Sequence, residues 1–285
     1  NSRRSKFWTL SIFFEPVHAW REKRRATIVQ LHWSLEMTDA IRFEVKDTVA
    51  ELCLCAPERR NAIGSREIAL VKAAIDSIPD TCRLFVIRSE GSVFCAGANL
   101  KEITDGSMEG DDFQSMTNAI ASLMMPSLAI VEGDVFGGGA ELLFSCDFRL
   151  GVTGKHLKIP AAAVGLCYPV DGIERMTQRL GSTLVRKLLL TTESVSFEEL
   201  AQYSAFDWLI SSAEVDAHSE ALIASLSGLA PLSVTAMLAI IKSVEEGRFD
   251  RVAAQRLADS CSESEDLSEG LLAIREKRAP VFNRR

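Results

Sequence analysis

The 285-residue chain predicts an α/β fold with an α-helical C-terminal region, and three observations carry that prediction. Strand-like and helix-like patterns alternate between Ile41 and Val152. Leu84-Phe-Val-Ile87 is a continuous apolar run typical of a buried parallel strand, and Pro126-Ser-Leu-Ala-Ile-Val131 reads as the next buried strand. From Gly172 onward the spacing is helical almost throughout.

Composition agrees with a soluble globular protein: 47% of residues are hydrophobic and 25% charged. Residues 1–36 read differently, as a basic N-terminal extension outside the fold. They hold three of the four tryptophans and seven Lys/Arg against three Asp/Glu. The net charge is −7, so the rest of the chain carries −11, which argues against nucleic acid as a partner. Ser2-Arg-Arg-Ser-Lys-Phe7 loosely resembles a twin-arginine export signal, but the apolar stretch behind it is short and no cleavage site follows. The expectation is that Met37 is the natural start; a basic interaction arm is the alternative. No apolar run is long enough to predict a membrane span. The seven scattered cysteines and four isolated histidines show no metal-ligand spacing. Reduced thiols, a cytoplasmic location and no metal are therefore expected.

Element by element, Ile41-Arg-Phe-Glu-Val45 and Val49-Ala-Glu-Leu-Cys-Leu-Cys55 alternate as half-buried strands across a hairpin-length connection. Residues 65–78 have helical spacing, and the Leu84 strand follows. The polar stretch 104–112 reads as a loose loop before a helix over 113–123. The strand at 127–131 leads to a Gly-rich turn and a helix through Cys146, and Phe148-Arg-Leu-Gly-Val152 is a further strand. Helices are expected at 172–190, 196–203, 214–227, 231–246, 249–262 and 266–278, with a short strand at Trp208-Leu-Ile-Ser211. The core is placed at 37–205 and the helical region at 206–285.

The chemistry lies in two segments, Phe94-Cys-Ala-Gly-Ala-Asn-Leu-Lys101 and Val135-Phe-Gly-Gly-Gly-Ala-Glu-Leu142. Each follows an apolar strand and places small residues where a helix should begin. Free N–H groups at helix starts attract negative charge, so two such ends together form a pocket for an oxyanion. Glu141, followed by Leu142-Leu-Phe144, would have its charged form disfavoured by desolvation and could exchange protons near neutral pH. The plainer alternatives are tight strand-to-helix turns and a first-turn glutamate that favours the helix dipole. The Gly137 run lacks GxGxxG spacing, which weakens a dinucleotide reading.

Taken together, these residues resemble the crotonase superfamily, the enoyl-CoA hydratase/isomerase group. Pro57-Glu-Arg-Arg-Asn-Ala-Ile63 is similar to the segment lining the family's CoA site. Phe94-Cys-Ala-Gly-Ala-Asn-Leu-Lys-Glu102 resembles its first oxyanion-hole segment, with Asn99 in place of the usual Asp. Residues 135–147 resemble the second, and residues 269–282 the closing helix. The resemblance implies a spiral of ββα units with a helical C-terminal trimerisation region, hence a homo-trimer or hexamer. It implies that the Ala98 and Gly138 amides hold a thioester oxygen and that Glu141 is catalytic. Arg60, Ala62, Ala96, Asn99 and Leu100 would contact acyl-CoA, as would Lys277 and Phe282, commonly contributed by a neighbouring subunit. Coenzyme A enters as part of the substrate, and no other cofactor is implied.

One departure matters. In Leu157-Lys-Ile-Pro-Ala-Ala-Ala163 the position of the family's second catalytic glutamate is Ala161. Cys167, Tyr168 or Asp171 could supply a substitute acid, although Asp171 also reads as a helix N-cap. The expected activity is enoyl-CoA hydration with one of the two usual glutamates. Isomerisation, decarboxylation or thioester hydrolysis by Glu141 alone is the alternative, and a non-catalytic CoA-binding or scaffold role is the alternative of another class.

Overall fold

The computed structural model describes residues 40–108 and 110–283, so the expectations for residues 1–36 and Met37 lie outside the described residues. Strands β1 (Ile41–Lys46) and β2 (Val49–Leu54) pair antiparallel from Ile41↔Leu54 to Lys46↔Val49. Asp47, at φ 55°, takes the left-handed conformation that such a two-residue turn demands. Helix α1 (Ser65–Asp76) then returns the chain to β3 (Leu84–Ser89), which lies parallel to β2.

From here each long strand is followed by a short one and then by helix. β3 passes to β4 (Val93–Cys95) and helices α2 (Leu100–Asp105) and α3 (Gly110–Ala121). β5 (Ser127–Val131) passes to β6 (Asp134–Phe136) and α4 (Gly138–Ser145). β7 (Phe148–Val152) passes to β8 (His156–Lys158) and α5 (Val170–Arg186). The short strands gather with β9 (Ser194–Ser196) in a second sheet of order β4-β6-β8-β9. The long ones form a six-stranded sheet of order β1-β2-β3-β5-β7, completed by β10 (Trp208–Ile210). This is the expected repetition of ββα units. The last strand of the main sheet comes from beyond residue 205, where the sequence places the start of the helical region.

The main sheet is covered on both faces, which is why β3 and β5 are apolar at consecutive positions. Phe85 and Ile87 pack with Leu52, Phe94, Met116 and Phe144 on one face. Leu84 and Val86 pack with Leu128, Ile130 and Val215 on the other. Each such side chain contributes about 1.5–3 kcal/mol by leaving water.

Beyond α5 come α6 (Phe197–Ala201), α7 (Val215–Ser227), α8 (Pro231–Glu245), α9 (Arg251–Ser262) and α10 (Glu265–Glu276). The loose loop expected at 104–112 is instead mostly helix. Asn99 caps α2 by accepting from the Lys101 N–H at 3.1 Å, and Gly106 at φ 76° ends it. Asp111 and Asp112 occupy the first turn of α3, where acidic side chains favour the helix dipole. Among the described residues no single helix is long and apolar enough to cross a membrane. All seven cysteines are unpaired thiols.

Candidate active site

The two short strands β4 and β6 lie side by side and parallel, so the segments that follow them, residues 96–99 and 137–138, emerge together. Gly97 (φ 87°) and Gly137 (φ 51°) turn both chains through conformations that side chains resist. A Cβ on Gly97 would collide with the Gly138 amide nitrogen. One on Gly138 would stand 3.4 Å from the Ala98 nitrogen and 2.9 Å from the Phe113 ring. Only glycine leaves the space between the two amides open.

The surrounding amides are already used. Ala96 N–H donates to Arg60 O at 3.0 Å, Asn99 N–H to Ile63 O at 2.8 Å, and Gly137 N–H to Lys158 O at 2.9 Å. For the Ala98 and Gly138 N–H groups, no protein acceptor occurs among the described hydrogen bonds. The expected pair of oxyanion donors is thus brought together, with Gly138 at the first position of α4.

Glu141 lies one turn into the same helix and is fully buried. Its Oε1 accepts from Thr117 Oγ1 at 2.7 Å and stands 4.0 Å from Arg175 Nη1, while Oε2 has no partner. Burial raises its pKa above the usual carboxylate value, with a further push from Asp171. The Thr117 hydrogen bond and the Arg175 charge oppose the rise. A glutamate serving only the helix dipole would face water; this one is turned inward.

Ala161 occupies a short 3₁₀ turn, Ala161–Val164, and is buried without any group that could move a proton. Two of the candidate substitute acids already hold hydrogen-bond partners. Tyr168 is buried, donates its hydroxyl to Gly137 O at 3.1 Å, and has a pKa well above its ordinary value, mainly through burial. It braces the second loop. Asp171 is not the N-cap of α5, a place held by Pro169; it sits two residues further on, as the second residue of the helix. There its N–H donates to Gln114 Oε1 at 3.1 Å and its carboxylate accepts from Asn118 Nδ2 at 2.5 Å. Cys167 is exposed.

The expected CoA contacts divide into two groups. Arg60 and Ala62 belong to the segment that runs beside the first loop, which carries Ala96, Asn99 and Leu100, because Ala96 N–H donates to Arg60 O and Asn99 N–H to Ile63 O. Arg60, at φ 55°, lays its guanidinium 4.4 Å from the Phe136 ring centroid, and Leu100 is 70% exposed. Asn99 caps α2, and its Nδ2 donates to Glu102 Oε1 at 2.8 Å. Lys277 and Phe282 follow α10. Lys277 ends α10 in the left-handed conformation. The Phe282 carbonyl accepts from Arg83, at the opposite end of β3 from the oxyanion loops.

Several residues escaped the sequence reading. Thr117 and Arg175 touch Glu141 from α3 and α5, and Phe113 stands one turn before Thr117 on the same face of α3. That i, i+4 spacing was the only available signal. Asn61 is buried and ties three strands of chain together, accepting from Ala56 N–H at 2.9 Å and donating to Glu90 O at 2.9 Å and Val93 O at 2.7 Å. Cys53, Cys55 and Glu90 bring potential metal ligands within 4.8 Å of one another, but Arg42 Nη1 already pairs with Glu90 at 3.1 Å.

The chain is similar to known proteins over most of its length. The chain is 29% identical to the carnitinyl-CoA dehydratase of Salmonella typhi, over 87% of this chain and 100% of that protein. It is 28% identical to a Bacillus subtilis protein named probable enoyl-CoA hydratase, over 86% of this chain and 98% of that one. An enoyl-CoA hydratase from Bacillus anthracis has the same fold, with a TM-score of 0.78 at 20% identity over 86% of this chain and 100% of that one. The enoyl-CoA hydratase/isomerase family model matches residues 44–285. With its paired amides, buried glutamate and repeated ββα units, the chain belongs to the enoyl-CoA hydratase/isomerase family of the crotonase superfamily, a family of acyl-CoA enzymes.

Proposed function

We propose that the protein catalyses reversible hydration of a 2-enoyl-CoA thioester, with Glu141 as its single proton-handling carboxyl. The observation that carries this reading is the free amide pair, Ala98 after β4 and Gly138 at the start of α4, the helix that also carries buried Glu141. Water adds to C3 of the enoyl group and gives its proton to ionised Glu141. The C2–C3 π electrons move to the thioester oxygen, which the two amides stabilise as an enolate. Glu141 then returns the proton to C2, so hydroxyl and hydrogen are both added and no net proton is consumed. Each amide donor supplies about 3–4 kcal/mol of transition-state stabilisation.

A second reading, double-bond isomerisation, draws support from Ala161. Moving a proton from C2 to C4 of a 3-enoyl-CoA needs one carboxyl and no group to hold water. The discriminating experiment is incubation with enoyl-, malonyl- and 3-hydroxyacyl-CoA followed by mass spectrometry. A gain of water supports hydration, and a shifted double bond supports isomerisation. Loss of CO2 or release of free CoA points to decarboxylation or hydrolysis, and no turnover of any thioester points to a scaffold. Glu141→Gln should lower kcat by about 10²–10⁴-fold while CoA affinity is kept; unchanged turnover would sink both readings.

Association into trimers or hexamers is part of the same proposal. Met237, Ile241 and Val244 on α8, and Leu267, Leu271 and Ile274 on α10, form exposed apolar stripes at helical spacing, which supports it. Light scattering at several concentrations tests it.

A further inference from the structure

Glu141 is sealed from solvent, yet a residue beside it is not. Arg175 has 13% of its side chain exposed, and it lines a polar cleft of about 440 Å³ between α3, α5 and α8. Asn118, Asp171, Arg179, Lys242 and Glu245 form much of the remaining wall. The guanidinium therefore spans the layer between the cleft and the carboxyl group.

Two buried atoms in that layer have no hydrogen-bond partner, Glu141 Oε2 and Arg175 Nη1, and they belong to one ion pair 4.0 Å apart at its nearest atoms. A buried acceptor or donor left unpaired costs about 1–3 kcal/mol. One water accepting from Nη1 and donating to Oε2 removes both costs, and buried waters are held by such polar partners. Arg175 is itself fixed from the cleft side. Its Nη2 donates to Asn118 Oδ1, and Asn118 Nδ2 donates to Asp171 Oδ2 at 2.5 Å.

We propose that the polar cleft is a solvent entrance to Glu141 separate from the oxyanion face, with Arg175 as the positioning residue at its inner end, holding a water against Glu141 Oε2. The proposal rests on Glu141 being the proton-handling group. It allows the carboxyl to exchange its proton with bulk water while a thioester covers the two amides. The charged and titratable groups around Glu141 are Arg175 and Asp171 from α5 and Tyr168 from the loop before it; Thr117 faces it from α3, and Cys95 of β4 lies by Tyr168.

The test reads Glu141 directly, by infrared spectroscopy of its protonated carboxyl band, identified as the difference between wild type and Glu141→Gln. The protein is saturated with a non-reactive thioether analogue of acyl-CoA and mixed into D2O at a series of pH values. With the cleft as entrance, the band still shifts on deuteration and still titrates beneath the bound analogue. Asn118→Leu, which narrows the cleft, should slow the deuterium shift several-fold. Arg175→Met should move the titration midpoint upward, and Arg175→Lys should bring it back toward wild type. A band that neither exchanges nor titrates beneath the analogue overturns the entrance. A midpoint unmoved by Arg175→Met in protein that still binds the analogue overturns the positioning role. Neither readout requires turnover, so they fail separately from the assigned reaction, which falls if the thioester panel shows no addition of water or if Glu141→Gln remains fully active.

Discussion

Thr117 Oγ1 lies 2.7 Å from Glu141 Oε1 and 3.0 Å from the Gln114 carbonyl oxygen, and it has one proton to give. When Glu141 is ionised, Thr117 donates to it. When Glu141 is protonated, the carboxyl donates to Thr117 and Thr117 donates to Gln114. Both charge states are therefore hydrogen-bonded, which suits a group that accepts and returns a proton within one turnover.

Thr117→Val keeps the shape and removes that hydroxyl. Ionised Glu141 loses a hydrogen bond, so its pKa rises further. If ionised Glu141 starts the reaction, the acidic limb of the kcat/KM profile moves to higher pH. The loss of kcat/KM below that limb should be about tenfold, the equivalent of roughly 1–2 kcal/mol for a hydrogen bond to a charged group. A pH–rate profile checks it; an unmoved limb would remove Thr117 from the account.

Gly138→Ala places a methyl group 2.9 Å from the Phe113 ring and 3.4 Å from the Ala98 nitrogen. The methyl crowds the space between the two amides, where the proposed reaction places the oxyanion. Turnover should fall by about 10²–10³-fold, the usual loss for one oxyanion donor. Circular dichroism should show the fold retained.

The raised pKa of Glu141 also marks the pH dependence of stability. The folded protein keeps this proton at pH values where the unfolded chain has lost it. Stability from this group is therefore fully present below the unfolded carboxyl pKa and is lost as pH rises through the folded one. Thermal unfolding of Glu141→Gln and wild type across pH should show the difference in Tm moving in favour of the glutamine variant as pH rises. Movement in favour of the wild type would mean that Arg175 outweighs burial.

Asn61→Ala removes three hydrogen bonds that hold the 57–63 segment to the ends of β2, β3 and β4. It leaves buried backbone groups unpaired at a position already at φ 53°. Denaturant unfolding should show a loss of about 2–4 kcal/mol.

Much of the molecule was legible before any coordinates. Period-two alternation marked the β1–β2 hairpin, continuous apolar runs marked β3 and β5, and small residues after strands marked both oxyanion loops. The misreadings have physical causes. Residues 104–112 are polar because α2 and the start of α3 lie near the surface, and polarity alone does not separate a solvated helix from a loop. Asp171 has the composition of an N-cap, but Pro169 already occupies that position and Asn118 takes the carboxylate.

Local sequence determined where strands end, where glycine must stand, and that position 161 has no carboxyl. These features follow from backbone conformation and side-chain identity at a single site. Tertiary structure alone decided what surrounds Glu141. Thr117 is 24 residues before it and Arg175 is 34 after it, on helices whose packing depends on the whole ββα spiral. The same holds for Phe282, which the closing helix places at Arg83 and not at the oxyanion loops. A carboxyl group's burial and partners set its proton affinity, and those are properties of packing that no local run of residues encodes.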